Sequence, residues 1–201
     1  MLRPTLMLST LLVATPLSAD WTLVNDHSRL SFVSTKAGTV AEVHHFRQLE
    51  GWLGDDGRLR IAIDLASVET AIPIRNERMQ ELLFNTAEFP TATISAQVDL
   101  APLRALAIGA QTELVAEAEL SVLNQATTLT VQVALARLDA DTLLVASAQP
   151  LVVDANQLGL GAGVEKLREI AGLPSISPAV PVSFRLTFSE DGPPASAVSQ
   201  N

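Results

Sequence analysis

The chain has no cysteine among its 201 residues. That absence excludes disulfides, thiolate nucleophiles, cysteine metal centres and a lipid-modified N-terminal cysteine. Tyrosine is absent too, and aromatics make up only 4% of the chain, so few large rings are available to fill a core. Charged residues are also scarce at 17%, and acidic ones prevail, giving a formal net charge of −9. Bulk attraction to nucleic acid or to an anionic membrane surface is therefore excluded. No apolar run reaches the ~20 residues of a spanning helix, so stable membrane insertion is not expected. What remains is a 48% hydrophobic chain whose apolar stretches are separated by Gly, Pro, Ser and Thr. This is the composition of one globular domain.

The N-terminus reads differently from the rest. Arg3 supplies a positive start, Leu6 to Ala14 is mostly apolar, and Pro16-Leu17-Ser18-Ala19 ends on a small residue. That order predicts a secretory signal peptide over 1–19, cleaved after Ala19, and a mature protein in the periplasm or secreted. Cleavage removes one charge, Arg3, and leaves 12 basic against 22 acidic residues. The predicted domain runs over 20–188. The polar tail 189–201, with Gly192-Pro193-Pro194, is expected to be disordered.

Alternation with a period of two dominates the domain. In Arg58-Leu59-Arg60-Ile61-Ala62-Ile63-Asp64-Leu65 every second residue is apolar, so one face is buried and the other wet. The pattern recurs at Leu30 and Phe32, at Ala92 to Val98, at Leu114 to Leu120, at Leu129 to Leu135 and at Val180 to Phe188, with a further strand at Leu143 to Val153. Asp55-Asp56-Gly57 and Asp139-Ala140-Asp141 lie between such runs, as turns do. Two stretches have helical spacing instead, Asn76 to Phe84 and Val164 to Ile170. The expected fold is all-β, an extended antiparallel barrel of about eight strands with two short helices. An immunoglobulin-like sandwich is the alternative, because strand number alone does not separate the two.

An eight-stranded barrel is just wide enough either to be filled by side chains or to hold a small ligand. Several candidate inward rows carry alanine: Ala92 and Ala96, Ala116 and Ala118, Ala146 and Ala148. Rows so small leave space that Leu or Phe would occupy, which favours an apolar cavity over a solid core. Alanine also occupies outward positions, Ala62 and Ala134, so ordinary packing stays open as a reading of alternation alone.

Three groups of residues carry a family resemblance. Trp21-Thr22-Leu23 and Asp26-His27-Ser28-Arg29-Leu30-Ser31-Phe32 resemble the opening strands of the YceI-like family of exported lipid-binding proteins. Phe46, Glu50-Gly51, Asp64, Val68, Thr70, Arg75-Asn76 and Phe84 through Phe89-Pro90 resemble its central run. Val153 to Leu160 and Val180 to Phe188 are similar to its late segment and closing strand. The resemblance implies an extended, lipocalin-like barrel that binds, stores or carries a polyisoprenoid, isoprenoid quinone or fatty-acid derivative. No catalysis is expected, for want of a catalytic motif, and no cofactor beyond such a lipid. His44, Leu123-Asn124, Asn156 and Leu158 depart from its usual residues and bear on headgroup contacts. The expected ligand-binding residues are Phe32, Phe46, Ile63, Arg75, Asn76, Met79, Leu82, Leu83, Phe84, Phe89, Ile94, Ala116 and Ala118. For Arg75 and Asn76 a structural role competes with a headgroup role: Asn76 as N-cap of its helix, Arg75 as partner of Glu77 or Glu81. The sequence allows a homodimer without specifying one.

Other constellations carry less. His44 and His45 are strand neighbours pointing to opposite faces, a poor chelate. Gly159-Leu160-Gly161-Ala162-Gly163 lacks the third glycine and the βαβ setting of a dinucleotide site. No Gly-x-Ser-x-Gly elbow occurs. An interaction module without ligand and an enzyme acting on a bound lipid are the remaining alternatives.

Overall fold

A computed structural model describes residues 20–190. The predicted signal peptide and the tail beyond Glu190 lie outside the described residues. Twelve strands form one antiparallel sheet: β1 (Trp21–Leu23), β2 (Arg29–Lys36), β3 (Val40–Phe46), β4 (Leu49–Leu53), β5 (Arg58–Asp64), β6 (Val68–Glu69), β7 (Thr91–Gln97), β8 (Gln111–Val122), β9 (Gln125–Arg137), β10 (Thr142–Ser147), β11 (Leu151–Asp154) and β12 (Ala179–Ser189). The sheet order β1-β4-β5-β7-β8-β9-β10-β12 closes on itself, because β1 pairs with β12 as well as with β4. Eight strands thus make a closed barrel, and the sandwich alternative is overturned. Closure removes the exposed edges that a sheet of this length would carry.

Beyond the ring, β2, β3 and β6 extend from β12 as a flange. The length of β12 makes this possible. Its second half pairs with β10 and β1, while its first half pairs with β11 on one side and with β2 on the other. The stretch Leu143 to Val153, expected as one strand, is two. Ala148-Gln149-Pro150 interrupts it, and Pro150 has no N–H to give a ladder. β12 runs to Ser189, which stands opposite Thr22 and Thr142.

The helices differ from expectation in extent and number. The first begins earlier, as α1 (Pro73–Arg78), where Pro73 fits the first turn. It then widens into a π-helical segment, Met79–Phe84, which ends at Asn85 in the left-handed region with φ 47°. A further helix, α2 (Ala101–Ala105), was not anticipated. It carries only Leu103 inward, and a single buried apolar residue leaves no periodicity to read. α3 (Gly161–Ile170) contains the expected Val164 to Ile170. Gly163 sets its distance from the π-helical segment, since a Cβ there would come 2.7 Å from the Leu82 carbonyl oxygen and 2.8 Å from Leu83 Cα.

Candidate functional site

The inward faces of the ring strands enclose a cavity of about 280 Å³. Among the described residues its wall is apolar throughout except for Asp99. Along β8 the wall runs from Leu114 to Val122, eight residues or about 26 Å at ~3.3 Å each. A small volume stretched over that length describes a narrow channel suited to a chain-like molecule. Strand alternation creates it: Leu114, Ala116, Ala118, Leu120 and Val122 face inward, while Glu113, Glu117 and Glu119 are exposed between them.

One end is closed by Leu103 of α2 beside Leu53, Leu59 and Val98. The other lies under Leu83 and Phe84 of the π-helical segment and Leu160 and Val164 by α3. The π-helical segment is held at that end by Gln80 Nε2, which donates to the Ala66 carbonyl at 2.7 Å. The side wall is not laddered everywhere. The β9–β10 ladder stops at Val133 opposite Ser147, and β11 pairs only with β12 among the described strands. Leu129 and Val131 on β9 and Leu151 and Val153 on β11 line the channel on either side of this gap.

Of the residues expected to bind ligand, Phe32, Phe46, Ile63, Leu83, Phe84, Ile94, Ala116 and Ala118 line the cavity, whereas Arg75, Asn76, Met79, Leu82 and Phe89 do not. Met79 is buried in the core cluster and Leu82 gives its carbonyl to the contact with Gly163. The alanine rows divide in the same way. Ala92, Ala96, Ala116 and Ala118 line the channel, but Ala146 and Ala148 do not, because Leu143 and Val145 hold the inward parity on β10. Val145, Leu151 and Phe184 are lining residues that the expectation missed, although the alternation of β12 already put Phe184 inward.

Arg75 and Asn76 belong to a polar cluster beside the channel, and in neither of the roles foreseen as structural. Asn76 does not cap its helix. Its Oδ1 accepts from Thr70 N at 2.9 Å and Thr70 Oγ1 at 2.6 Å, and its Nδ2 donates to Glu69 at 3.3 Å. Arg75 pairs with Glu42 across 2.5 Å, not with Glu77 or Glu81, and donates to the Thr70 carbonyl. Lys36 shares the same Glu42 carboxylate at 2.6 Å. His44 is 2% exposed, and its Nε2 bonds Ser34 Oγ at 2.8 Å. His45 points the other way, to Arg29, as strand alternation requires, and no metal-binding cluster forms among the described residues.

Two buried nitrogens in this cluster have no partner: His44 Nδ1 and Arg75 Nε. An unsatisfied buried polar atom costs about 1–3 kcal/mol. Burial first, and then the Arg75 charge, hold the His44 pKa below the ordinary histidine value, so the ring is neutral at pH 7. The hydrogen bond from Lys36, helped by Arg75, lowers the pKa of Glu42 against the effect of burial. Histidine at position 44 is visible in the sequence, yet the lack of a partner at its Nδ1 is a property of the packed flange.

A model of the YceI-like domain matches residues 21–188. Among solved structures, a polyisoprenoid binding domain from Saccharophagus degradans, implicated in plant cell wall breakdown, is 37% identical, with a TM-score of 0.83 over 86% of this chain and 98% of that one. BcnA from Burkholderia cenocepacia has the same fold at 19% identity, with a TM-score of 0.64 over 82% of this chain and 98% of that one. Comparison with the curated proteins gives no match. The match spans the ring, the flange and the helices that cover the channel, and the chain belongs to the YceI-like family.

Proposed function

We propose that this protein binds a long apolar lipid, of the isoprenoid type, and stores or carries it through an aqueous compartment. The observation that carries this reading is the channel itself: narrow, about 26 Å along its strands by the ~3.3 Å rise, and apolar except for Asp99. Each CH₂ taken from water into such a wall gains roughly 0.8 kcal/mol, so chain length, not polar contact, supplies the affinity. The solved relative that is 37% identical is described as polyisoprenoid binding, which supports an isoprenoid over a straight acyl chain. Binding without catalysis fits a wall that offers solvation and no reacting group. A quinone with a prenyl tail is within the same class.

The signal-peptide pattern over 1–19 supports export, with the carrier working in the periplasm or outside the cell. Intact-mass measurement of protein from the exported fraction is expected to show a mature N-terminus at Asp20. Organic extraction of purified protein followed by mass spectrometry tests the ligand. Co-purifying prenyl lipid, or uptake of added prenyl chains or quinones, is the expected result. Failure of both would overturn the carrier reading.

A further inference from the structure

We propose that the lipid enters and leaves the channel sideways, between β9 and β11, through a seam in the barrel wall that is closed by side chains and not by a backbone ladder. This assignment rests on the lipid-carrier reading and adds the route of exchange to it.

The seam follows from a mismatch in strand lengths. Along β12, Ala146 stands opposite Arg185 and Leu151 opposite Val182, so the chain from 146 to 151 is two residues longer than the stretch it faces. The surplus, in the segment broken by Pro150, bends the strand as a bulge does. β11 keeps its place on β12 and parts from β9. On β9 the ladder ends at Val133 opposite Ser147, and one further bond, from the Ala148 N–H to the Gln132 carbonyl at 2.9 Å, marks one end of the seam. At the other end a Cβ on Gly159 would come 3.2 Å from Gln125 Cγ. Between these contacts β9 runs from Gln125 to Gln132, about 23 Å at ~3.3 Å per residue.

Backbone groups on both edges turn into the seam. Gln132 points its carbonyl to the β10 side, so by alternation Thr130 and Thr128 point theirs, with their N–H groups, the same way. Ala155 donates to Pro178 on the β12 side, so Val152 and Asp154 face the seam from β11. Continuing the registers puts Thr130 in line with Val152, yet these two strands do not pair. What bars the way is side-chain packing. Leu129 and Leu151, both half-buried, lie against Val131 and Val133, and all four line the channel. On the outside stand the exposed Thr128, Thr130 and Val152, which offer a passing chain no charge.

Opening this seam is less costly than opening the wall elsewhere. Turning Leu129 and Leu151 aside breaks no hydrogen bond, whereas parting a laddered pair leaves donors and acceptors facing an apolar interior. β7 and β8 also diverge, beyond Ser95 and Glu119. There α2 lies in the connection, buries Leu103 and is tied by Arg104, which donates to the Asp55 carbonyl at 3.0 Å. The π-helical segment is tied in turn by Gln80 to Ala66.

A chain without cysteine allows a clean test. Thr130→Cys with Val152→Cys places thiols on the outer face of both edges, where a short bis-maleimide bridges them in the folded protein without entering the channel. Uptake of tritiated geranylgeraniol by delipidated protein, and its release to excess unlabelled lipid, are then timed. Bridging is expected to slow both by at least about 10-fold, a rise of about 1.4 kcal/mol in the barrier, at unchanged Kd. Each single-cysteine variant given the same reagent is expected to match wild type. Leu151→Ala is expected to raise the uptake rate, which loss of a wall contact alone would not do, and it decides alone where the double variant does not fold or bridge. Gln80→Ala and Arg104→Ala loosen the covers of the other two openings and are expected to leave both rates as they are. Unaltered rates in the bridged protein, an unaltered uptake rate in Leu151→Ala, or uptake accelerated by Gln80→Ala or Arg104→Ala overturns the seam as the route and leaves the carrier intact. A wild type that binds neither geranylgeraniol nor squalene overturns the carrier reading, and this assignment with it.

Discussion

Gly163 packs against the backbone of Leu82 so closely that a methyl group on it would lie 2.7 Å from the Leu82 carbonyl oxygen. The contact joins α3 to the π-helical segment, the two elements that cover one end of the channel. Backbone cannot yield as a flexible side chain can. Gly163→Ala is therefore expected to destabilise by about 1–3 kcal/mol, the range for overpacking, and to lift α3 away from Leu83. Equilibrium unfolding in urea measures the first effect, and faster exchange of the α3 amides measures the second. Unchanged values for both would refute the close contact.

Asn76 is the internal support of the cluster. Its Oδ1 satisfies two donors of the buried Thr70. Asn76→Ala leaves the Thr70 N–H without an acceptor and Thr70 Oγ1 with only the Ile72 carbonyl at 3.4 Å, at about 1–3 kcal/mol for an orphaned group. Water entering the space would reduce that cost. Denaturant midpoints of wild type and variant, compared at equal slope, are expected to differ by at least the lower figure.

Acid should weaken the fold through the same cluster. The His44 pKa lies below its ordinary 6.5 in the folded protein, so the unfolded chain takes up a proton first as pH falls. Stability is thus at its full value above about 6.5 and declines as pH drops from there through the folded pKa. Glu42, with its pKa lowered from 4.5, adds a loss of the same sign in a more acidic window. His45, lowered by burial and Arg29, acts in the upper window too. His44→Asn is expected to flatten the decline between about pH 7 and 5.5 in thermal melts, and His45→Asn only to reduce it. A wild-type melting temperature constant over that interval would contradict the direction of the shift.

How far the sequence reveals this molecule depends on whether a feature is local. Arg58 to Leu65 alternates cleanly because β5 is flanked by β4 and β7 with one face to the channel and one to water. Asp55-Asp56-Gly57 reads as a turn because Gly57 takes φ +81°, which a side chain resists. Ala146 misled because Leu143-Leu144-Val145 is apolar on both parities, so only the ladder with Leu135 and Leu186 decides which residue faces inward. The partner of Arg75 is 33 residues distant on β3, while Glu77 and Glu81 were near at hand. Adjacency in sequence suggested those acids, and the flange supplied another. The channel was foreseeable as a class of cavity, but the polar cluster beside it depends on β2 and β3 leaving the ring, and no local pattern encodes that departure.

Ala116 and Ala118 both face the channel, yet their surroundings differ, and enlarging each should give a different result. Ala118 is 9% exposed and belongs to a packed cluster with Val131 and Val133, so Ala118→Phe is expected to destabilise by roughly 1–3 kcal/mol through overpacking. Ala116 is only half-buried, opposite Val131 on β9, and its exposed part faces the space assigned to ligand. A ring at 116 fills that space without displacing a neighbour. Ala116→Phe should leave the delipidated protein at or above wild-type stability, while binding weakens or becomes restricted to shorter prenyl chains. Thermal melts of delipidated protein, read beside retention of prenyl alcohols of increasing length, separate the two variants. Destabilisation by Ala116→Phe with undiminished retention of long chains would show that position 116 lies in filled core and that the ligand runs elsewhere.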